Sequence, residues 1–334
     1  MSKRILLSHG GGGEETQSLI KDLFFTHFEN DILLKMEDAA SVEMEHGKIA
    51  FTTDSFTVSP LFFNGGNIGK LAIAGTVNDL AMMGARPKYL TCSFIIEEGF
   101  EFEALEKIVI SMKEEMKKSG VQIVAGDTKV IPKGGVDGLF INTSGIGEII
   151  YDNLSAHHIV EEDAIIVSHH VGNHGACILA KREELELESD LKSDCASLWK
   201  PVEALIENGI HLHALRDATR GGLSAVLNEW AQTSRVCIEI EEATIPVALE
   251  VKGICELLGF EPYEFANEGT MVIALPKASV AIALEVLHQC DETKHATCIG
   301  YVTRRFDGKV ILHTPWESER FLEPPKGELL PRIC

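Results

Sequence analysis

Apolar residues recur along this chain at helical or strand spacing, and the rhythm stops only near the carboxyl end. In "EETQSLIKDLFFTHF", Leu19, Ile20, Leu23, Phe24 and Phe28 share one helical face. "KIAFTTDSF" reads as a strand ending in polar residues, "NIGKLAIAGTVNDLAMMGA" as a helix rich in small residues, and "PKYLTCSFII" as a second strand. A charged helix, "FEALEKIVISMKEEMKKSG", leads into the strand "VQIVAGDT", and "DGLFINTSGIGEII" completes a first unit. The strand "AIIVSHH" restarts the pattern. Helices are expected at "HGACILAKREEL", "SLWKPVEALIENG" and "HALRDATRGGLSAVLNEWAQTS". After them come the strand "VCIEI", a helix around "VALEVKGICELLG", the strand "TMVIALP", the helix "ASVAIALEVLHQC" and the strands "ATCIGYV" and "GKVILH". Runs of like elements interrupt the alternation, so the pattern predicts an α+β fold rather than a doubly wound sheet. From Pro315 onward, "PWESERFLEPPKGELLPRIC" is proline-rich and aperiodic. The expected division is 1–153, 154–314 and a flexible tail, 315–334, that reaches at most roughly 60 Å when extended.

Composition adds little that the pattern lacks, but it excludes some classes. With 334 residues, 45% of them hydrophobic, and a mean hydropathy of +0.07, the chain can bury two cores. A formal charge of −21 argues against a nucleic-acid surface. An anionic substrate would need a local cradle of backbone amides, metal or a few basic residues. The 8 cysteines are scattered without a CxxC pair, several of them in apolar stretches where a thiol packs as a small hydrophobe. "MSKRILLSHGGGG" has too short an apolar run for a secretory signal, and no stretch has the length of a membrane span. These features lead us to expect a cytoplasmic protein with reduced thiols.

Candidate chemistry gathers at glycines, carboxylates and the last residue. Gly10, Gly11, Gly12 and Gly13 precede a helix, which suits either close approach of backbone amides to a phosphate or a flexible helix start. "GGNIGK" puts Lys70 after Gly69, but it is one residue short of a P-loop and Leu71 replaces the magnesium-binding hydroxyl. Asp54 in "TTDSF" and Asp127 in "VAGDTK" follow apolar strands, and Asp79 in "TVNDLA" lies on the helix of small residues. Each is either a cap or turn residue or a carboxylate for Mg²⁺ on nucleotide phosphates. Lys129 would then supply a point charge. Glu268 in "FANEG" is either part of a turn or a general base tuned by burial. In "LRDATRGGL", Arg216, Asp217 and Arg220 suit either anion binding or a capped helix start. Cys334 ends the chain; a free thiol near pKa 8.5 is a modest nucleophile, and Arg332 is the nearby cation expected to lower it.

Taken together, "TTDSF", "TVNDLAMMGARP", "VAGDTK", "DATRGG" and "FANEG" resemble the family that includes aminoimidazole ribonucleotide synthetase, selenophosphate synthetase and thiamine-monophosphate kinase. Within it, "SPLFFNGGNIGKLAIAGTVNDLAMMGA", "GICELLG" and the terminal "PRIC" resemble the hydrogenase-maturation branch along essentially the whole length. The resemblance implies a two-domain α+β fold and a homodimer paired through its amino-terminal halves. It implies ATP and Mg²⁺ near the dimer interface, with Gly10 to Gly13, Asp54, Lys70, Asn78, Asp79, Gly126, Asp127 and Thr128 as nucleotide contacts. Asp54, Asp79 and Asp127 would be the metal ligands. The implied reaction is ATP-dependent dehydration of a carbamoyl group on Cys334 to a thiocyanate, with Glu268, Lys129 and Asp79 in the catalytic set. A carbamoyltransferase, HypF, would load the cysteine, and an iron-carrying HypC–HypD complex would take the cyanide for [NiFe]-hydrogenase.

"VSHHVGNHGA" departs from the expected pattern, with His169 and His170 in place of a glycine-containing loop and Asn173 in place of aspartate. His169, His170 and His174 could be read as a metal cluster, but His170 and His174 straddle a glycine turn and lack a zinc-site spacing. Two rival functions stand beside the dehydratase. One is a small-molecule ATP enzyme of the same family, which leaves "PRIC" without a purpose. The other is a non-catalytic carrier that only presents Cys334.

Overall fold

The structure, a computed structural model, describes residues 13–19, 21, 33–37, 39–44, 47–183, 190–327 and 330–334. Its first half contains β1 (Ala40–Met44), β2 (Gly47–Phe56), the short pair β3 (Phe62–Phe63) and β4 (Gly66–Asn67), then β5 (Ala85–Glu97), β6 (Gln122–Ile131) and β7 (Leu139–Ile149). Five of these form one sheet in the order β1-β2-β7-β5-β6, antiparallel except where β5 runs parallel to β6. Period-two alternation sends Ala50, Thr52 and Phe56 of β2 inward and leaves Phe51, Thr53 and Ser55 outside.

The helix Ile68–Met82 lies on the inner face. Asn67 caps it by accepting hydrogen bonds from the amides of Gly69 and Lys70. Apolar and small residues surround this helix on nearly every side, so it is buried almost throughout. Its Thr76 shares a 2.5 Å hydrogen bond with Thr143 of β7.

The second half holds β8 (Asp163–Val167), β9 (Ala214–Asp217), β10 (Cys237–Glu241), β11 (Met271–Pro276), β12 (Thr297–Thr303), β13 (Lys309–His313) and β14 (Glu319–Phe321). They form a sheet in the order β14-β13-β10-β12-β8-β11-β9. One of its apolar clusters is continuous with the first-half core, running from Phe56 and Leu71 through Ile166 and Ile273.

Two expectations are corrected here. The stretch expected as one helix, "HALRDATRGGLSAVLNEWAQTS", is a strand and then a helix: Ala214–Asp217 pairs with β11, and the helix is Gly222–Ser234. Gly222 has a φ of +61°, and a Cβ there would lie 2.5 Å from the carbonyl oxygens of Tyr263 and Phe265. Only glycine lets the chain turn at that point. The tail, expected to be flexible, is docked. β14 extends the second sheet, Leu322 is buried, and Ser224 Oγ donates to the Glu323 carbonyl at 2.7 Å. Residues 330–334 then return to the first half.

Candidate active site

The last residues are held by backbone contacts from both halves. The Thr57 amide donates to the Cys334 carbonyl at 2.8 Å, and the Ser59 amide donates to that of Arg332 at 3.1 Å. Arg182 donates through Nη2 to the Arg332 carbonyl at 2.6 Å, and through Nε to Ser59 O at 2.7 Å. The buried His174 reaches the Ile333 carbonyl through Nε2 at 2.7 Å and Ser193 Oγ through Nδ1 at 2.7 Å. Ile333 is buried in the shared core. Arg332, in the left-handed region at φ +53°, turns its side chain to Thr57 O and to the Asp137 carboxylate. These contacts form a socket, and it aims the Cys334 side chain inward.

The cavity it enters has a volume of about 180 Å³ and lies between the halves. From the first half, β2 contributes Asp54 and Phe56, and the buried helix contributes Gly75 and Asp79. From the second half come Asp217 at the end of β9, Arg220 just beyond it, and Glu268 just before β11. Asp217 pairs with Met271, so the same antiparallel register carried three residues outward brings Arg220 and Glu268 together.

Burial pushes the Glu268 carboxyl well above its usual range, and the neighbouring Asp217, Asp194 and Asp54 push it the same way. Burial raises Asp54 too, with Arg220 opposing. Asp217 rises to about 6, chiefly by burial. Cys334 is pushed up to about 12 by burial and then by Glu268, again with Arg220 opposing. Docked here, the sulfur is a neutral thiol rather than a thiolate. Glu268 Oε1 is buried and has no hydrogen-bond partner, an arrangement that destabilises a protein unless a ligand uses it.

The sequence itself matches known proteins along these elements. Residues 36–149 match AIR synthase related protein, N-terminal domain, and residues 160–313 match AIR synthase related protein, C-terminal domain. Carbamoyl dehydratase HypE of Escherichia coli K12 is 45% identical, covering 99% of this chain and 99% of its own. The chain belongs to the HypE branch of the AIR synthase related proteins. A crystal structure of a HypE–HypF complex superposes with a TM-score of 0.87 at 44% identity, covering 92% of this chain and 100% of that one. A HypE crystal structure with ATP gives 0.83 at 44% identity, covering 99% and 100%. The fold is the two-part α+β architecture of that family.

Set against HypE expectations, the structure brings Cys334, Glu268, Asp54 and Asp79 to one cavity. It does not bring Asp127 there. Asp54 pairs through Thr143 with Cys92 on the inner face, whereas Asp127 pairs with Ser93 in the row that runs through Asn142 to Ser55 outside. The expected triad of metal ligands is therefore divided within one chain. Lys129 stays with Asp127, 2.6 Å from its carboxylate. Gly126 and Thr128 line a separate hollow against Cys92 and Met112.

Asn78 is engaged within the chain. It is buried, accepts from the Leu198 amide at 2.7 Å and donates to the Ala196 carbonyl at 3.1 Å, so it ties the halves together. Lys70 Nζ donates to the Gly65 carbonyl at 2.9 Å. Gly10, Gly11 and Gly12 lie outside the described residues. Gly13 is packed under the tail, where a Cβ would lie 2.4 Å from Pro325 O. It also lines a second cavity of about 560 Å³ with Lys21, Lys35 and Arg216. Arg332 faces away from the sulfur, and Arg220 is the cation that acts on it.

Sequence reasoning missed the residues that hold this site in place. Asp194 accepts from the amides of Glu268 (3.2 Å) and Gly269 (3.0 Å) and from Thr270 Oγ1 (2.8 Å), fixing the turn that presents Glu268. Gly269 has room for no side chain, since a Cβ would lie 1.9 Å from Asp194 O. Arg182 and His174, which grip the tail, stood in a segment read only as a helix and a histidine loop. The "NEG" spacing was the one local signal that the turn is crowded.

Proposed function

We propose that this chain converts a carbamoyl group carried on Cys334 into a thiocyanate, using ATP. The observation that carries the reading is delivery of the terminal cysteine into an acidic cavity, where it meets a buried carboxylate with an unpaired oxygen. The naming of its HypE relatives as carbamoyl dehydratases supports it.

A carbonyl oxygen is a poor leaving group, so it must first be phosphorylated. The thiocarbamate oxygen attacks the γ-phosphorus, the bond to ADP breaks, and the oxygen becomes part of a phosphate ester. The C–O bond then breaks and inorganic phosphate leaves. Both N–H protons depart as the C≡N bond forms: Glu268 takes one, and the second leaves with phosphate. Sulfur holds the carbon throughout. Burial of Glu268 raises its proton affinity, which suits a proton acceptor working near neutral pH. About 180 Å³ holds a thiocarbamate and a phosphoryl group, while whole drug-sized ligands occupy roughly 300–1,000 Å³. The nucleotide therefore enters from outside, and only its phosphoryl end reaches the sulfur. Arg216 and Arg220 line the same space and face developing negative charge.

The oxygen donors of Asp54 and Asp79 fit Mg²⁺, a hard cation that would relieve the Asp54 carboxylate that burial raises. Such an ion would neutralise phosphate charge. Asp127 and Lys129 take part from a second copy of the chain in this reading. The outer face that carries them also exposes Phe51, Ile146 and Tyr89 in one cross-strand row, an apolar strip suited to a homodimer. HypF as the carbamoyl donor, HypC–HypD as the cyanide acceptor and a cytoplasmic setting complete the proposal. Among the described residues no helix is long and apolar enough to cross a membrane.

Replacing Cys334 with alanine is the discriminating test. Dehydration predicts that carbamoyl-dependent ATP hydrolysis disappears in Cys334→Ala. Full turnover by that variant on a free small molecule would instead favour the small-molecule enzyme.

A further inference from the structure

The second half carries a histidine cluster outside the residues that line the Cys334 cavity. Val167, ending β8, pairs with Thr297, opening β12. Extending that antiparallel register by two residues sets His169 opposite His295, with His170 beside both. The ring centroids lie 5.2 Å apart for His169 and His170, 5.1 Å for His169 and His295, and 4.3 Å for the stacked pair His170 and His295. One ring nitrogen from each lies within 4.8 Å of the others. His174, the third histidine of the loop, points elsewhere and grips the tail. His295, remote in sequence, takes its place.

We propose that His169, His170 and His295 bind a borderline divalent metal ion, with zinc as the reference ion. Three imidazoles make the protein part of an open zinc site and leave a fourth position for water or an exogenous ligand. Mg²⁺ and Ca²⁺ would require oxygen donors, which this cluster lacks, whereas imidazole suits zinc and its first-row neighbours. The buried His169 Nδ1 has no hydrogen-bond partner, as expected of a nitrogen kept for a ligand.

Lys294 opposes a cation at this place, and Glu250, which acts on His170, works the other way. Zn–N bonds of about 2.0–2.1 Å in a tetrahedron set the nitrogens about 3.4 Å apart. His295 is exposed and sits between short elements, so its ring closes the remaining distance of roughly 1–1.5 Å by leaving its stack.

The test uses tag-free, metal-stripped full-length protein titrated calorimetrically with Zn²⁺, and with Co²⁺ as a coloured probe. A single ion should bind per chain, and Co²⁺ should give visible absorption with nitrogen ligation. His295→Ala and His170→Ala should each weaken Zn²⁺ binding by more than the roughly 10–100-fold that loss of an outer-shell partner causes. His295→Gln changes only the exposed position and guards against misfolding; it should match His295→Ala while keeping the wild-type melting temperature and ATP hydrolysis. Equal Zn²⁺ affinity in wild type and His295→Gln, or no stoichiometric binding by wild type, overturns the site.

Discussion

The first-half sheet presents aspartates on its two faces, and they live under opposite conditions. On the inner face, Asp54 lies half-buried beneath the Ile68–Met82 helix, with Asp79, Asp217 and Glu268 around the same cavity, and burial raises its proton affinity. On the outer face, Asp127 is exposed and held below the usual carboxylate range by its hydrogen bond from Lys129. The inner set is poised to exchange a proton or accept a cation. The outer set is a solvated ion pair. Motifs of the same appearance, "TTDSF" and "AGDTK", thus stand in opposite surroundings because of which way one side chain points.

The inner set should govern chemistry, and the sharpest way to break that claim is Glu268→Gln. Loss of a general base reduces turnover by about 10²–10⁴-fold, with the carbamoyl group accumulating on Cys334 by mass spectrometry. An unchanged rate would move the base elsewhere in the cavity.

Asp217 sharpens the same side through pH. Its carboxyl rises from 3.8 to about 6, chiefly by burial, so the folded chain prefers it protonated. That stabilisation is complete below pH 3.8 and is lost as pH rises through about 6. Relative to Asp217→Asn, the wild type should lose up to about 3 kcal/mol between pH 4 and pH 7. Urea unfolding of both proteins at the two pH values measures it, and parallel curves would contradict the burial.

The tail that closes the inner side comes next. Arg182→Ala removes charge-assisted hydrogen bonds to the Arg332 and Ser59 carbonyls. Such bonds contribute about 1.5–3 kcal/mol, so alkylation of Cys334 should accelerate by roughly 10–100-fold as the thiol spends more time outside. The smallest effect belongs to the outer face. Lys129→Ala should leave the melting temperature unchanged, because the pair is exposed and screened. If the face pairs with a second copy, Tyr89→Ser should lower the dimer fraction in light scattering.

Much of the inner site was legible in the sequence. Asp54 ends an apolar strand, Glu268 precedes one, and Cys334 closes the "PRIC" motif. Each of these positions is local to its motif. The division of the aspartates was not legible, because β6 carries a bulge. Leu90 pairs with Ile123 and Thr91 with Ala125, which leaves Val124 as the extra residue. One inserted residue reverses the faces of all that follow. Without it, Asp127 would point inward with Asp54. The partners of the tail were hidden for a different reason: Arg182 and His174 meet it across about 150 residues of sequence, and no periodicity carries such information. The strand at "ALRD" was masked by its neighbours, since four residues are too few for alternation to outweigh a long helical run.

The central claim is that the docked sulfur carries the one-carbon unit while the inner carboxylates act on it. Intact-protein mass spectrometry with mapping of the carboxyl-terminal peptide tests it most directly. A carbamoyltransferase is charged with carbamoyl phosphate and ATP, freed of ATP and then mixed with the chain; ATP is either restored or withheld. A carbamoyl group on Cys334, followed by loss of one water from that residue only when ATP is restored, is the predicted result. A carbamoyl group that persists in protein shown to bind ATP, or a Cys334 left unmodified by an active transferase, would contradict it.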